Sequence, residues 1–222
     1  MSGYVELQTA PYRGHVLLAD AVRRSVRPGG RIFEGGVSSG YFARVLVEAG
    51  YTVDGAEIDP VAAAAAGTIC DRLVVGDLAA LDLAALAPVY DGFVFGDTLE
   101  HLADPVALLR RLRPLLADDG ALVVSIPNIA NWAVRLGLLA GRFRYTERGI
   151  LDRTHLRFYT ARTVREMLAE AGFRTDELVA TVPVPLIRWR PLLWLAHRIG
   201  NLRPSLFAYT FVIVARPGDR LA

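Results

Sequence analysis

Five residues between positions 97 and 101 combine two carboxylates with an imidazole. The run reads Asp97-Thr98-Leu99-Glu100-His101. Positions three and four apart share one side of a turn or short helix, so Asp97, Glu100 and His101 can cluster. These donors suit a hard or borderline divalent cation. A structural alternative is open, in which Glu100 caps or pairs locally and His101 packs against a sheet.

A second imidazole follows in the run Leu151-Asp152-Arg153-Thr154-His155. A neutral imidazole accepts a proton near physiological pH, so His155 is the candidate general base for a hydroxyl group. If a cation is present, His155 becomes a ligand instead, and coordination lowers the pKa of the hydroxyl. The structural alternative is a hydrogen-bonded residue of a lid.

A loop of small residues precedes this chemistry at positions 32–40, which read Ile-Phe-Glu-Gly-Gly-Val-Ser-Ser-Gly. The order predicts a strand that ends in a tight turn, followed by a helix at 41–49 whose N-terminal N–H groups face outward and can bind a nucleotide-like ligand. A strand at 52–56 then ends in Glu57. An acid about 20 residues beyond a glycine-rich loop is placed to accept hydrogen bonds from ribose hydroxyls.

The spacing within the loop distinguishes between cofactors. Gly35, Gly36 and Gly40 do not fit the G-x-G-x-x-G pattern of dinucleotide-binding proteins. The observed order is Glu34-x-Gly36-x-Ser38-x-Gly40. It resembles motif I of the class I S-adenosylmethionine-dependent methyltransferases, an acid followed by alternate glycines, with Ser38 where the middle glycine usually lies. The resemblance covers nearly the whole chain and implies S-adenosyl-L-methionine as the cofactor.

The resemblance also assigns individual residues to that cofactor. Asp77, after a strand at 72–75, is implied to hold the adenine amino group with help from the Leu78 amide. Asp97, after a strand at 92–96, is implied to face the reacting methyl group. A helix cap or turn carboxylate is the alternative for the acids that follow strands. The cofactor-binding set is Glu34, Gly36, Ser38, Gly40, Glu57, Ile58, Asp77, Leu78 and Asp97.

The 97–101 run resembles the acid-x-x-Glu-His segment of ubiquinone-biosynthesis O-methyltransferases and small-RNA 2′-O-methyltransferases. In those enzymes a second histidine completes a Mg²⁺ or Mn²⁺ site, and His155 lies where it is expected. Asp97 replaces the usual first Glu and is one methylene shorter. The resemblance implies Asp97, Glu100, His101 and His155 as metal ligands. The candidate catalytic residues are His155, Asp97 and His101.

Strands and helices alternate along the chain, which predicts an α/β fold with a parallel sheet covered on both faces. Further strands are predicted at 121–126, 175–180 and 206–215, and helices at 12–25, 61–66, 105–116 and 160–171. The resemblance implies a Rossmann-like, seven-stranded, mostly parallel sheet with an antiparallel last strand. At 222 residues and 53% apolar content, a single domain over 1–222 is expected.

Two amphipathic segments, 129–145 and 182–204, interleave large apolar residues with arginine. They resemble the substrate-covering insertions of small-molecule methyltransferases, here near 129–158 and 182–205. The stretch 129–160 is similar to bacterial members associated with sugar, lipid or polyketide tailoring. The second segment also fits a membrane-interface helix, with core packing or a homodimer contact as alternatives.

All 25 basic residues are arginine, and they are distributed unevenly. Residues 1–127 hold 10 arginines and 16 acids, a net charge of −6, whereas residues 128–222 hold 15 arginines and 7 acids, a net charge of +8. A basic face attracts phosphorylated, nucleic-acid or membrane partners, and a solvated surface is an equal alternative. A nucleic-acid partner is disfavoured because no known RNA-binding motif is recognised.

The expected function is O-methylation of a hydroxylated small-molecule acceptor: a sugar, quinone, lipid or polyketide. A nicotinamide-dependent oxidoreductase is disfavoured by the loop spacing and by the lack of a separate substrate domain. A methyltransferase-fold protein that binds without turnover is the other alternative. The lone Cys70 allows no internal disulfide, and no uncharged run approaches the length of a membrane span, so a soluble cytoplasmic protein is expected.

Overall fold

A computed structural model describes residues 13–87, 89–182 and 190–218 of the chain. Position 12 of the first predicted helix and positions 183–189 of the second amphipathic segment, which include Arg188 and Trp189, lie outside the described residues. The strands are β1 (Arg31–Gly35), β2 (Thr52–Glu57), β3 (Arg72–Val75), β4 (Tyr90–Gly96), β5 (Leu116–Pro127), β6 (Phe173–Thr181) and β7 (Thr210–Pro217). The helices are α1 (Gly14–Ser25), α2 (Tyr41–Glu48), α3 (Pro60–Ala66), α4 (Pro105–Leu112), α5 (Trp132–Leu139), α6 (Ala161–Glu170), α7 (Arg190–Leu202) and α8 (Pro204–Phe207).

The strands of the described chain form one seven-stranded sheet in the order β3-β2-β1-β4-β5-β7-β6. The neighbours from β3 to β5 pair in parallel, whereas β7 is antiparallel to both β5 and β6. This topology confirms the predicted Rossmann-like sheet with an antiparallel last strand. Helices cover both faces, as a largely parallel sheet requires.

Alternation along the central strands divides the apolar residues between two cores. In β4, Phe93 and Phe95 point to the face covered by α4 and α6, and Val94 points to the face covered by α1 and α2. In β1, Phe33 points to the α4 and α6 face and Ile32 to the α1 and α2 face. Successive side chains of a strand point to opposite faces, so strands buried on both sides read as continuous apolar runs.

Several boundaries differ from prediction; β5, for example, begins at Leu116 and not at 121. The last strand begins at Thr210 rather than at 206, because Pro204–Phe207 forms the short helix α8. The helix predicted at 105–116 ends at Leu112 and continues as a 3₁₀ turn over Arg113–Leu115. Pro114 accounts for this end, since it has no N–H to donate to the preceding turn of the helix.

The carboxyl ends of β1, β2, β3 and β4 lie along one edge of the sheet. The strand order changes direction between β1 and β4, and open α/β sheets bind ligands in the crevice at such a switch point. The glycine-rich loop, Glu57, Asp77 and Asp97 all follow these strand ends. The fold therefore gathers the predicted cofactor residues at one edge. Among the described helices, none is long and apolar enough to cross a membrane.

Candidate active site

The loop after β1 has an unusual backbone, with Gly36, Ser38 and Gly40 all in the left-handed region at φ of 75°, 51° and 81°. Glycine adopts this conformation without steric cost, whereas serine does not. The Gly36 amide donates to the carbonyl oxygen of Ala56 at 2.9 Å, which ties the loop to β2. The Ser38 amide donates to a side chain of that strand, described next.

Glu57 ends β2 and holds the loop through both carboxylate oxygens. Oε2 accepts from the Ser38 amide at 2.8 Å, and Oε1 accepts from the Asp59 amide at 2.9 Å. The Ser38 contact stabilises a left-handed residue that has a side chain. Each carboxylate oxygen has capacity for a further hydrogen bond, so Glu57 can shape the loop and still accept from a ligand hydroxyl. Its neighbour Ile58 is 66% exposed beside it.

Gly36 and Gly40 are also required by close packing. A Cβ on Gly36 would lie 2.8 Å from Cγ2 of Thr98, and a Cβ on Gly40 would lie 2.7 Å from Cδ1 of Ile69. Thr98 also donates to the carbonyl oxygen of Gly35 at 3.1 Å. The loop after β1 is thus packed against the turn after β4, and neither can shift alone.

Replacing Gly40 with alanine should destabilise the protein by about 2–4 kcal/mol, from left-handed strain and overpacking together. Gly50 is a matched control, since its φ is +92° but a Cβ added there would have nothing within 4 Å. Gly50→Ala should therefore cost only about 1–2 kcal/mol. Urea unfolding of both variants measures the difference. Equal losses would mean that contact with Ile69 does not constrain the loop.

Asp77 is placed at the strand end as predicted, and it also serves as a cap. Its Oδ1 accepts from the Ala79 amide at 2.8 Å and begins a 3₁₀ turn over Leu78–Ala80. Leu78 is buried, whereas Asp77 is exposed. The capping alternative is therefore realised in this structure, and the remaining oxygen of Asp77 stays exposed at the crevice edge. Binding of adenine by Asp77 stays a prediction.

Tyr41, at the start of α2, lies among three carboxylates. Burial raises the pKa of its hydroxyl, and the charges of Glu34, Asp97 and Glu57 raise that pKa further. Glu34 itself is buried, burial raises its pKa well above the usual range, and its Oε2 has no hydrogen-bond partner among the described residues. This acidic neighbourhood favours a ligand that carries positive charge.

Asp97 follows β4 with φ of 49°, a strained value for a residue with a side chain. Its amide donates to Oγ of Ser125 at 2.9 Å, which fixes the turn. The residue is solvent-exposed, yet surrounding protein desolvates the carboxyl group and raises its pKa, against the opposing effects of Ser125 and His101. Asp97 is thus a solvent-accessible carboxylate at the sheet edge where the strand order reverses.

Glu100, His101 and His155 form a compact cluster near Asp97, with one ligand-type atom from each residue within 4.8 Å of the others. Glu100 is buried, and neither of its carboxylate oxygens has a hydrogen-bond partner in the described chain. Burial, followed by the charge of Asp97, raises its pKa well above the usual range. Asp97 lies outside this group, so three of the four predicted metal ligands come together.

The orientation of His155 is fixed by the backbone. Its Nδ1 lies 3.2 Å from the carbonyl oxygen of Ile150, so Nδ1 carries the proton that is donated and Nε2 is left as the acceptor. Nε2 lies 3.9 Å from Oε1 of Glu100. Burial and then His101 lower the pKa of His155. The lowered pKa favours the neutral imidazole of His155, whose Nε2 faces the cluster.

The segment that carries His155 is attached to the turn that carries Glu100. The amides of Leu156 and Arg157 both donate to the carbonyl oxygen of Glu100, at 2.9 and 3.0 Å. His101 Nδ1 lies 3.2 Å from Thr154, and the two imidazole rings meet edge to face with centroids 4.8 Å apart. Two segments that are distant in sequence are thus held as one unit.

Several residues of this site are absent from the sequence-based set. Tyr41 directly follows Gly40 at the start of α2. Its position beside the glycine-rich loop could have indicated a role in the site, but the spacing of glycines and acids does not include it. Thr98 lies inside the acidic run but fills the space left by Gly36. The carbonyl of Ile150 has no sequence signature, since every residue has a carbonyl group.

Comparison with known proteins identifies the fold and the family. A family model described as a methyltransferase domain matches residues 12–178. Uncharacterised proteins of Mycobacterium tuberculosis and Mycobacterium bovis are 38% identical over 89 residues, which is 40% of this chain and 29% of each relative. The match thus covers less than a third of the length of those relatives.

Solved structures with low sequence identity share the architecture. The CcbJ methyltransferase of Streptomyces caelestis has a TM-score of 0.64 at 18% identity, over 97% of this chain and 94% of its own. Magnesium protoporphyrin IX methyltransferase (ChlM) of Synechocystis, with bound SAH, has a TM-score of 0.62 at 17% identity, over 97% and 91%. These neighbours establish the fold, and the family model covers most of the chain. The chain therefore belongs to the methyltransferase domain family and has the fold of S-adenosylmethionine-dependent methyltransferases.

Proposed function

We propose that this protein transfers a methyl group from S-adenosyl-L-methionine to a hydroxyl oxygen of a small-molecule acceptor: a sugar, a quinone, a lipid or a polyketide. The observation that carries the proposal is the orientation of His155, whose Nδ1 is held by the carbonyl oxygen of Ile150 and whose Nε2 faces the Glu100–His101 cluster. An uncharged imidazole with a free Nε2 is suited to remove a hydroxyl proton. The family match favours this activity over a nicotinamide-dependent oxidoreductase and over a binding protein without turnover.

The residues present fit the proposed cofactor. Bound S-adenosyl-L-methionine supplies a positively charged sulfonium whose methyl group is already activated for transfer. The carboxylates near Tyr41, above all Glu57 at the exposed edge of the loop, provide a negative environment for positive charge, and a cationic ligand would favour the charged form of the buried Glu34 as well. Glu57 and the loop with Gly36 and Gly40 would hold the nucleoside, as the resemblance implies.

His155 and its surroundings would then act on the acceptor. Nε2 would take the proton of the attacking hydroxyl, while Nδ1–H keeps its hydrogen bond to Ile150. The buried position of His155 limits access of water, which would otherwise compete with the acceptor. Holding the hydroxyl in line with the methyl group supplies much of the rate acceleration in such a reaction.

Titration of S-adenosylhomocysteine into chelator-treated protein tests the proposal without knowledge of the acceptor. We expect saturable binding in the micromolar range, roughly −8 kcal/mol, and no measurable heat with NAD. Saturable binding of NAD with no response to S-adenosylhomocysteine would overturn the cofactor assignment. A hydroxylated acceptor panel and its amine analogues, assayed with labelled S-adenosyl-L-methionine, then separate O-methylation from N-methylation.

A divalent cation is the second hypothesis for the same cluster, and the buried, unpartnered oxygens of Glu100 are the observation that favours it. One carboxylate and two imidazoles are donors that Mn²⁺ accepts, and Mg²⁺ would need additional oxygen ligands. Glu100, His101 and His155 would hold the ion, with Asp97 outside the group. A bound cation would supply Lewis-acid activation of the acceptor hydroxyl.

Metal removal decides between the two roles of His155. If the cation hypothesis holds, turnover should fall at least tenfold after chelation and return with Mn²⁺ or Mg²⁺, because the hydroxyl loses its activating charge. The measurement is a turnover assay on chelator-treated protein with each ion added back. Full activity of demonstrably metal-free protein would exclude coordination and leave His155 as the base.

A further inference from the structure

Two helices present large apolar side chains to solvent. On α7, Leu192, Leu195, Ile199 and Leu202 recur at spacings of three and four residues, and Leu202 is 78% exposed. That spacing places them along one face of the helix. Trp194, Leu195, Arg198, Ile199 and Leu202 line an open groove of about 470 Å³ on the same helix. This surface is not part of the site at Asp97.

The helix α5 and the loop after it carry a similar surface. Trp132, Leu136 and Leu139 follow the same helical spacing, and Leu139 is 84% exposed. In the loop, Phe143 and Tyr145 are exposed and pack edge to face. We refer to the exposed apolar residues of 132–145 and 192–202 together as the apolar rim.

The two parts of the apolar rim begin at the same edge of the sheet. Pro127 at the end of β5 and Thr181 at the end of β6 both pair with Thr210, so α5 and α7 follow neighbouring strand ends. The side-chain amide of Asn131, at the start of α5, donates to the carbonyl oxygen of Ala208 at 2.9 Å, directly after α8. Because β4 and β5 are parallel, this edge also carries Asp97.

The chain segments that carry the apolar rim have only basic charged residues. Neither 128–146 nor 178–218 contains any Asp or Glu, whereas both contain several arginines. Arg142 and Arg144 flank Phe143 and are exposed, and the guanidinium of Arg198 lies 5.7 Å from the ring centroid of Trp194. Apolar side chains interleaved with arginine match the acyl chains and anionic headgroups at a lipid surface.

A second copy of this chain fits the apolar rim less well. A twofold contact places the same surface of both copies face to face, and here neither copy would offer a carboxylate from these segments to pair with the arginines of the other. An anionic membrane removes this conflict. The length of α7, 13 residues, suits a helix that lies in the plane of the interface and does not cross it.

We propose that the apolar rim is an interfacial binding surface for an anionic lipid membrane. The side chains of α5, α7 and the 140–145 loop enter the headgroup region, and the arginines bind lipid phosphates. The crevice at Asp97 then opens at the same end of the molecule as the lipid. Membrane binding does not rest on the proposed methyl transfer and is measured without it.

The test is flotation of the full chain with vesicles of phosphatidylcholine alone or with one third phosphatidylglycerol, at low and high salt. Binding is expected to the anionic vesicles and to weaken at high salt, because the phosphate contacts are screened. Leu195→Ser/Ile199→Ser should weaken binding roughly tenfold or more. Arg142→Ser/Arg144→Ser should lower the ratio of binding to anionic vesicles over binding to neutral vesicles roughly tenfold or more. Val47→Ser, an exposed apolar change on α2, is the matched control and should bind like the wild type.

Tryptophan fluorescence locates the contact. Brominated lipid should quench the emission of the wild type, and Trp132→Phe and Trp194→Phe should each lose part of that quenching. Absence of binding to anionic vesicles would overturn the proposal, as would equal binding by the wild type and the two double variants. If Leu195→Ser/Ile199→Ser instead converts a dimer to a monomer in sedimentation, with no vesicle binding by either, the apolar rim is a contact between copies.

Discussion

Replacing His155 with alanine should lower turnover roughly 10²–10⁴-fold, the contribution of a positioned general base. The affinity for S-adenosylhomocysteine should change little, because none of the loop contacts of Glu57 involves His155. Single-turnover kinetics and calorimetry measure the two quantities separately. The expected pattern is a loss in kcat with intact cofactor binding.

A second substitution separates chemistry from positioning at this residue. Asn in place of His155 has an amide that can donate to the carbonyl oxygen of Ile150 but cannot take a proton near neutral pH. His155→Asn should therefore remain as inactive as the alanine variant. Recovery of turnover by asparagine would show that His155 only holds the 150–158 segment in place.

Replacing Glu57 with alanine should weaken binding of S-adenosylhomocysteine by about 10–100-fold. The substitution removes two charge-assisted hydrogen bonds to the amides of Ser38 and Asp59, and each such bond contributes about 1.5–3 kcal/mol. It also removes the acceptors predicted to bind the ribose hydroxyls. Calorimetric titration measures the affinity, and circular dichroism verifies that the sheet is retained.

Two further variants give the prediction its control. Glu57→Gln keeps only one acceptor oxygen on the side chain and should fall between the wild type and the alanine variant. Glu48→Ala removes an exposed carboxylate at the end of α2 and should bind like the wild type. Unchanged affinity in Glu57→Ala would remove this residue from the cofactor site.

Much of the fold follows from local pattern. The central strands are buried on both faces, and short apolar runs such as Phe93-Val94-Phe95 mark them. An acid ends β2 at Glu57 and follows β4 at Asp97, although Asp54 and Asp91 also lie inside those strands. The order of strands and the antiparallel β7 depend on contacts between distant segments. No periodicity encodes those contacts. The family resemblance implied the antiparallel last strand, whereas the order of the strands is known only from the structure.

The sequence predicted which residues form the candidate site better than it predicted their arrangement. Residue type and spacing brought Glu100 and His101 together, and the resemblance added His155, which the structure places in contact with both. Spacing also included Asp97, which has a left-handed backbone and lies outside the group of three. The proton position on His155 depends on a backbone carbonyl, which sequence analysis does not distinguish from any other.

The hydrogen bonds at the base of the 129–159 segment have a consequence for how this protein could acquire new acceptors. Its two ends are joined where the Ile129 amide donates to the carbonyl oxygen of Tyr159 at 2.9 Å, and its last part is bound to Glu100. Once the ends are fixed, a change in loop length costs little additional entropy. Residues 132–145 can therefore change in sequence and length at little cost to the hydrogen bonds that position His155, and under the proposed function this is the freedom that a new acceptor would require.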